Sequence, residues 1–291
     1  MLRFRPLQRF PGHLQHHSSD MDLCAGLAAH LERHLRSWQG PHPLKPLGLA
    51  TGRTMEPLYR TLVERLLAWS ADELEGLRAR WCSFNLDEYL GLSADDPRGY
   101  RAYMTHHLAA PLGLPSAAVH LPDSTAADGQ AAARRYGEQL AHCGGIGLQL
   151  LGLGSNGHVG FNEPPCPPDQ HCHEVVLTPA TRHQNAALFD GRVEAVPQRA
   201  ITLGLQEILE ADEIHLVVTG AAKAGILKRL LSLSEPDPSL PASWLLTHPN
   251  DWLWCDAAAF AGTETFAGID AFSETAPFSE TAPVVGTASL A

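Results

Sequence analysis

Leu153-Gly154-Ser155-Asn156-Gly157-His158-Val159-Gly160-Phe161-Asn162-Glu163-Pro164 is the stretch whose reading decides the fold. It follows Ile146 to Leu153, an apolar run that reads as a buried strand of a parallel sheet. A strand, a glycine turn and then polar side chains is how an open α/β sheet builds a ligand crevice at its carboxyl edge. Gly154 and Gly157 flank Ser155 and Asn156 and let the backbone approach a ligand closely. His158 and Glu163 stand five residues apart on an otherwise apolar loop. A histidine, a carboxylate and an amide together suit proton transfer on a small polar molecule. The bland alternative is a core histidine, the commoner fate of a lone one; the adjacent glycines and Glu163 argue against it.

Working outward, strands are expected at 47–50, 81–86, 146–153, 214–219 and 252–255, with helical patterns at 55–69, 130–143, 205–211 and 223–231 between them. Leu23, Leu27, Leu31 and Leu35 recur every four residues and predict a helix over 20–38 with one face inward. Strands alternating with helices imply βαβ units, so the fold class is α/β, a modified Rossmann-like, mostly parallel sheet flanked by helices. Residues 1–19 read as an irregular extension and 20–256 as a single α/β domain. Residues 257–291 hold four acids, no lysine or arginine, and FSETAP twice in tandem (272–277 and 278–283), which predicts a disordered tail.

Bulk properties narrow the function. Of 291 residues 44% are apolar and 18% charged, enough for a substantial core. The net charge of −11 and the lack of any basic stripe exclude nucleic acid as a main partner; Arg3, Arg5 and Arg9 form the densest positive segment. No apolar run has the length of a membrane span, and prolines and histidines interrupt the N-terminus where a secretory signal needs an apolar core. The six cysteines have no framework spacing and read as reduced thiols of a cytoplasmic protein. Cys166, His171, Cys172 and His173 crowd a proline-rich loop, but the spacing matches no zinc pattern with a second ligand pair, so neither a metal nor a cofactor is expected.

Three further segments converge on the same chemistry. Thr51-Gly52-Arg53-Thr54 ends a strand and precedes a helix whose first turn holds Pro57, and free amides there suit a phosphate. Such turns often merely connect elements. Phe84-Asn85-Leu86-Asp87-Glu88-Tyr89 puts two carboxylates at a strand's carboxyl end; alternation lets only one enter the crevice if the strand continues, and the bland reading is that Asp87 caps the next segment. In Thr219-Gly220-Ala221-Ala222-Lys223 a lysine opens a helix against the dipole, a position that an anionic phosphate would compensate.

Together ATGRT, FNLDEY, LGLGSNGHVGFNEP, TPATRHQNAALF, ITLGL and VTGAAK resemble the glucosamine/galactosamine-6-phosphate deaminase–isomerase family, from about Leu47 to Asp256. The GH-x-x-FNEP element is specific; 6-phosphogluconate lactonases share the fold and the GH but match FNEP poorly. The resemblance implies a metal-free aldose–ketose isomerisation of an amino-sugar phosphate with loss of ammonia. It implies that Asp87 moves a proton between C2 and C1, that His158 assists ring opening and that Glu163 supports it. It also puts Thr51, Gly52, Arg53, Thr54 and Lys223 on the phosphate-binding positions. Two departures stand out. Asn156 occupies the position of an aspartate partner of the histidine; it can orient the ring but cannot balance an imidazolium by charge. With Leu240-Pro241-Ala242-Ser243-Trp244-Leu245 it points to the galactosamine-6-phosphate branch, giving tagatose 6-phosphate, with glucosamine 6-phosphate as the rival substrate. Ala187 occupies the position of a phosphate-binding arginine, a charge that Arg53 could replace, and the basic residues of allosteric hexamers find no match after Glu163. A lactonase and a non-catalytic sugar-phosphate sensor are the competing readings, and the resemblance leaves a homo-oligomer open.

Overall fold

The structure, a computed structural model, describes residues 10–37 and 45–263. In chain order the strands are β1 (His13–His17), β2 (Leu47–Leu49), β3 (Ser83–Asn85), β4 (Asp87–Leu90), β5 (Val119–His120), β6 (Leu148–Gly152), β7 (His173–Val176), β8 (Arg199–Thr202), β9 (Glu213–Val218) and β10 (Asp251–Asp256). Seven of them form a parallel sheet in the order β1-β10-β9-β6-β2-β3-β5. The chain runs from β2 outward to β3 and β5, then returns to the other side of β2 as β6 and continues outward to β9 and β10. Connections therefore leave β2 and β6 in opposite directions, which is where an open α/β sheet leaves a crevice at its carboxyl edge.

The central strands are largely apolar because helices cover the sheet, with Gln149 of β6 and His215 of β9 as buried polar exceptions. Leu148, Leu150 and Leu151 of β6 and Ile214, Leu216, Val217 and Val218 of β9 are all buried. The helix Asp20–Ser37 buries Leu23, Leu27, Leu31 and Leu35, as their spacing predicts, and packs against the helix Met55–Leu67. Ala71–Arg80 starts in a capping box, Ser70 and Glu73 bonding each other's backbone amides. Among the described residues no helix is long and apolar enough to cross a membrane.

Three expectations are corrected. The segment 81–86, read as one strand, breaks at Leu86: β3 stays in the parallel sheet, and β4 joins a second, antiparallel sheet ordered β4-β8-β7. Leu86 is the joint, its amide donating to the Leu49 carbonyl (2.9 Å) and its carbonyl accepting from Leu203 (2.7 Å). Residues 13–17, assigned to an irregular extension, form the edge strand β1, because parallel pairing with β10 satisfies their backbone and His13 and His17 stack on Trp252 and Trp254. Residues 257–260, assigned to a disordered tail, form a helical turn (Ala257–Phe260) whose Ala259 amide is capped by Asp256 (2.7 Å). The rest of those two terminal assignments, residues 1–9 and 264–291, lies outside the described residues.

Asp251 anchors the new edge strand by accepting the Gly12 amide at 2.8 Å. Burial pushes its carboxyl up to about 6, the Gly12 bond notwithstanding. An acid with a raised folded-state pKa costs stability as pH rises through that value. Asp251→Asn keeps an acceptor for Gly12 without the buried charge, so its stability relative to wild type should rise by about 1 kcal/mol between pH 5 and pH 8. Urea unfolding at the two pH values measures this, and a pH-independent difference would contradict it.

Candidate functional site

The four segments that hold candidate site residues each leave the carboxyl end of a strand of the parallel sheet. Thr51–Thr54 follows β2, Asp87 follows β3, residues 154–163 follow β6, and Gly220–Lys223 follows β9. Parallel strands put all four on one edge, at and beside the switch between β2 and β6.

Asp87 is the first residue of β4 and is 6% exposed. Its backbone pairs with Thr202 of β8. A Cβ on Gly160 would lie 3.0 Å from Thr202 Oγ1 and 3.6 Å from Asp87 Oδ2, so the glycine loop passes directly over the acid. Gly160 has φ +58°, a conformation that favours glycine, and the Phe161 amide donates to Thr202 Oγ1 at 3.1 Å. Burial, then the neighbouring Glu88, pushes the Asp87 carboxyl up to about 8.

Glu88 points away from Asp87, as alternation predicts. Oε1 accepts the amides of Tyr89 (2.8 Å) and Tyr100 (3.0 Å), and Oε2 accepts that of Arg101 (2.8 Å). The capping role that the sequence offered Asp87 therefore belongs to Glu88, which caps the helix Tyr100–Met104.

The loop after β6 wraps the histidine. Gly154 has to be glycine, because a Cβ there would collide with the His158 imidazole. Gly157, at φ +87°, packs under Leu240, and its carbonyl accepts the Ala242 amide at 2.9 Å. The segment 240–245 thus braces the loop from behind. His158 is 8% exposed, and its Nδ1 lies 3.7 Å from Glu163 Oε2, close but too long for a hydrogen bond.

Asn156 behaves differently from expectation. It does not orient the imidazole: Nδ2 donates to Glu163 Oε2 at 2.7 Å, and Oδ1 accepts the His158 backbone amide at 3.2 Å. Its amide faces the carboxylate because an acceptor-only group binds the NH2 end. Glu163 Oε1 accepts from Thr178 (3.3 Å) and from Thr181. Burial opposes the charge on Glu163, but His158, Thr181 and Asn156 outweigh it and hold the carboxyl down at about 2. The negative partner of His158 is therefore Glu163, fixed by donors from three positions. Thr178 and Thr181 belong to the start of the helix Pro179–Asn185, within the TPATRHQNAALF segment, but had no site role legible in the sequence beyond an N-cap threonine.

At the turn after β2, Gly52 has φ +111° and nothing fills the space where its Cβ would be. Tyr103 donates to the Gly52 carbonyl at 2.9 Å. Lys223 lies in a short 3-10 turn just before the helix Ala224–Leu231, half-buried; burial, then the nearby Arg53, lowers its pKa. Two cations near each other from different strand ends suit a dianion. Arg182 is not available to help, since its guanidinium donates to the carbonyls of Val193 and Val196.

One cluster has metal-ligand character. His30, Glu213 and His215 offer ligand atoms within 4.8 Å of one another. Trp254 Nε1, a donor only, bonds His215 Nδ1 at 2.8 Å, so neutral His215 carries its proton on Nε2 and donates it to Glu213 (2.8 Å). The cluster is thereby satisfied as a hydrogen-bonded triad tying the helix Asp20–Ser37 to β9. In the proline-rich loop Cys166 and Cys172 are buried, while His171 turns out to Glu207.

The sequence matches the family of glucosamine-6-phosphate isomerases/6-phosphogluconolactonase over residues 18–254. It is 44% identical over 218 residues to glucosamine-6-phosphate deaminase of Rhodopirellula baltica, covering 75% of this chain and 84% of that one. It is 43% identical over 208 residues to glucosamine-6-phosphate deaminase of Shouchella clausii, covering 72% and 81%. Among solved structures, a monomeric glucosamine-6-phosphate deaminase superposes with a TM-score of 0.77 at 32% identity, covering 85% of this chain and 98% of that one. 6-Phosphogluconolactonase from Leishmania guyanensis superposes at 0.64 with 21% identity, over 87% and 99%, a likeness of fold alone.

Glu163 generates a pH dependence with a definite sign. A carboxyl depressed from 4.5 to about 2 contributes its stability in full above pH 4.5 and loses it as pH falls through about 2. Glu163→Gln should thus be destabilised relative to wild type at pH 5, with the gap narrowing toward pH 2.5. Denaturant titrations measure the gap, and one that stays constant or widens on acidification would contradict the account.

Proposed function

The chain belongs to the family of glucosamine-6-phosphate isomerases and 6-phosphogluconolactonases and is an enzyme of its deaminase/isomerase type, and we propose that it converts glucosamine 6-phosphate to fructose 6-phosphate with release of ammonia. The observation that carries this reading is Asp87: a buried carboxyl whose raised pKa makes its ionised form a stronger base than an ordinary carboxylate, beneath a glycine loop that also holds the His158–Glu163 pair.

In this mechanism the phosphate sits on the turn Thr51, Gly52, Arg53 and Thr54 with Lys223 opposite, supplying binding energy remote from the reacting carbons. His158 passes a proton between the ring oxygen and the C1 hydroxyl as the ring opens, and Glu163, held ionised by Asn156, Thr178 and Thr181, balances the imidazolium. Asp87 takes the C2 proton of the open chain and returns it to C1. Water then adds to the C2 imine, and ammonia leaves. Burial serves the central step, because a shielded carboxyl exchanges its borrowed proton slowly with solvent. Six unpaired cysteines suit a cytoplasmic setting for this chemistry.

The gluco substrate rests on the relatives named above. The two features that pointed to galactosamine 6-phosphate have other employment. Asn156 spends its amide on Glu163 and the His158 backbone, and the segment 240–245 braces Gly157.

Ammonia release from glucosamine 6-phosphate and galactosamine 6-phosphate tests the substrate, with faster release from the gluco epimer expected. Asp87→Asn should lower kcat about a thousandfold. If it does not, while the protein hydrolyses a phosphorylated sugar lactone, the lactonase reading replaces this one. Arg53→Ala should raise KM about tenfold; an unchanged KM would show that Arg53 does not replace the charge missing at Ala187.

A further inference from the structure

Asp87 and the phosphate turn belong to different strand ends, yet one short helix links Glu88, the residue after Asp87, to that turn. At its start, the amides of Tyr100 and Arg101 are held by Glu88 at 3.0 and 2.8 Å. Glu88 is the residue after Asp87 and is 2% exposed. One turn later, Tyr103 Oη donates to the Gly52 carbonyl at 2.9 Å. Tyr103 also meets Tyr59, whose hydroxyl donates to the Ala50 carbonyl at 2.6 Å, one residue before the turn begins. The path from the acid to the turn therefore runs through Glu88, the helix Tyr100–Met104 and Tyr103, all fixed by hydrogen bonds to backbone.

We propose that Glu88 and Tyr103 are positioning residues that set the spacing between Asp87 and the phosphate-binding turn, Glu88 also placing a second carboxyl beside Asp87. The inference rests on the reading of Asp87 as the proton-transferring acid. An aldose–ketose isomerase needs that spacing held closely, because the phosphate is the sugar's main anchor and the base must reach both C1 and C2. A carboxylate suits the Glu88 position because its oxygens only accept and all three partners only donate.

The titratable groups facing Asp87 are Glu88 and Tyr89 on its own strand, Tyr100 of the helix Tyr100–Met104, and Tyr136 of the helix Gly129–His142. Burial raises all three tyrosines, which stay protonated through the working range, and Arg101 faces Glu88. Glu88 is thus the group whose charge Asp87 senses.

Carbon-13 NMR of the Asp87 carboxyl, assigned with Asp87→Asn, follows its titration in wild type and Glu88→Gln. The variant's midpoint is expected about one pH unit lower, with the acidic limb of kcat/KM moving the same way. Tyr103→Phe keeps the ring and removes the hydroxyl. It is expected to weaken binding of inorganic phosphate about fivefold and to raise KM more than it lowers kcat, with the Asp87 midpoint unmoved. A merely structural role would lower the stability of both variants and move neither the midpoint nor the phosphate affinity. An unmoved midpoint in Glu88→Gln, or unchanged phosphate affinity in Tyr103→Phe, overturns the inference. Both variants showing their effects while wild type releases no ammonia contradicts the proposed function instead.

Discussion

Four parallel strands end on one edge of the sheet, and the connections from β2 and β6 leave that edge in opposite directions. Backbone cannot close the gap between them, so the crevice follows from strand order and not from any side chain. The candidate site residues are arranged around it. The strand ends supply polar residues, the loop after β6 folds back over Asp87, and the small antiparallel sheet holds Asp87 in place through Thr202. The fold is stabilised elsewhere, by apolar strands and helices that bury one another, which leaves this edge free to carry groups that are costly to bury.

Two such groups are carboxyls, and the protein gives them opposite proton affinities. Glu163 receives hydrogen bonds from Asn156, Thr178 and Thr181 and faces His158, so it stays ionised. Asp87 is buried without comparable donors and next to Glu88, so it holds its proton far above the usual carboxylate range. The contrast is set by burial at Asp87 and by donors at Glu163, and it separates a constant negative charge from a group suited to take and return a proton.

Much of this was legible in the sequence because the relevant residues are contiguous. The loop 154–163 carries its glycines, histidine and acid within one short run, and the parallel strands announce themselves as apolar stretches between helical periods. What was not legible depends on distant pairing. β4, β7 and β8 are four-residue strands whose sheet joins Asp87 to Thr202, and no local pattern reports such a partner. Glu88 gained its role from amides twelve and thirteen residues later, and β1 from a strand near the other end of the chain. Asn156 was assigned to the imidazole because the two are neighbours in sequence; in space Glu163 is the better acceptor for its NH2 group.

The central claim is that one shielded carboxyl carries the proton from C2 to C1, and isotope transfer tests it most directly. Glucosamine 6-phosphate deuterated at C2 is turned over in ordinary water, and the product is examined at C1. The account predicts a slower reaction with the labelled sugar and a measurable fraction of deuterium retained at C1, because the buried Asp87 exchanges slowly with solvent. Ammonia released with no isotope effect and no label at C1 would contradict it.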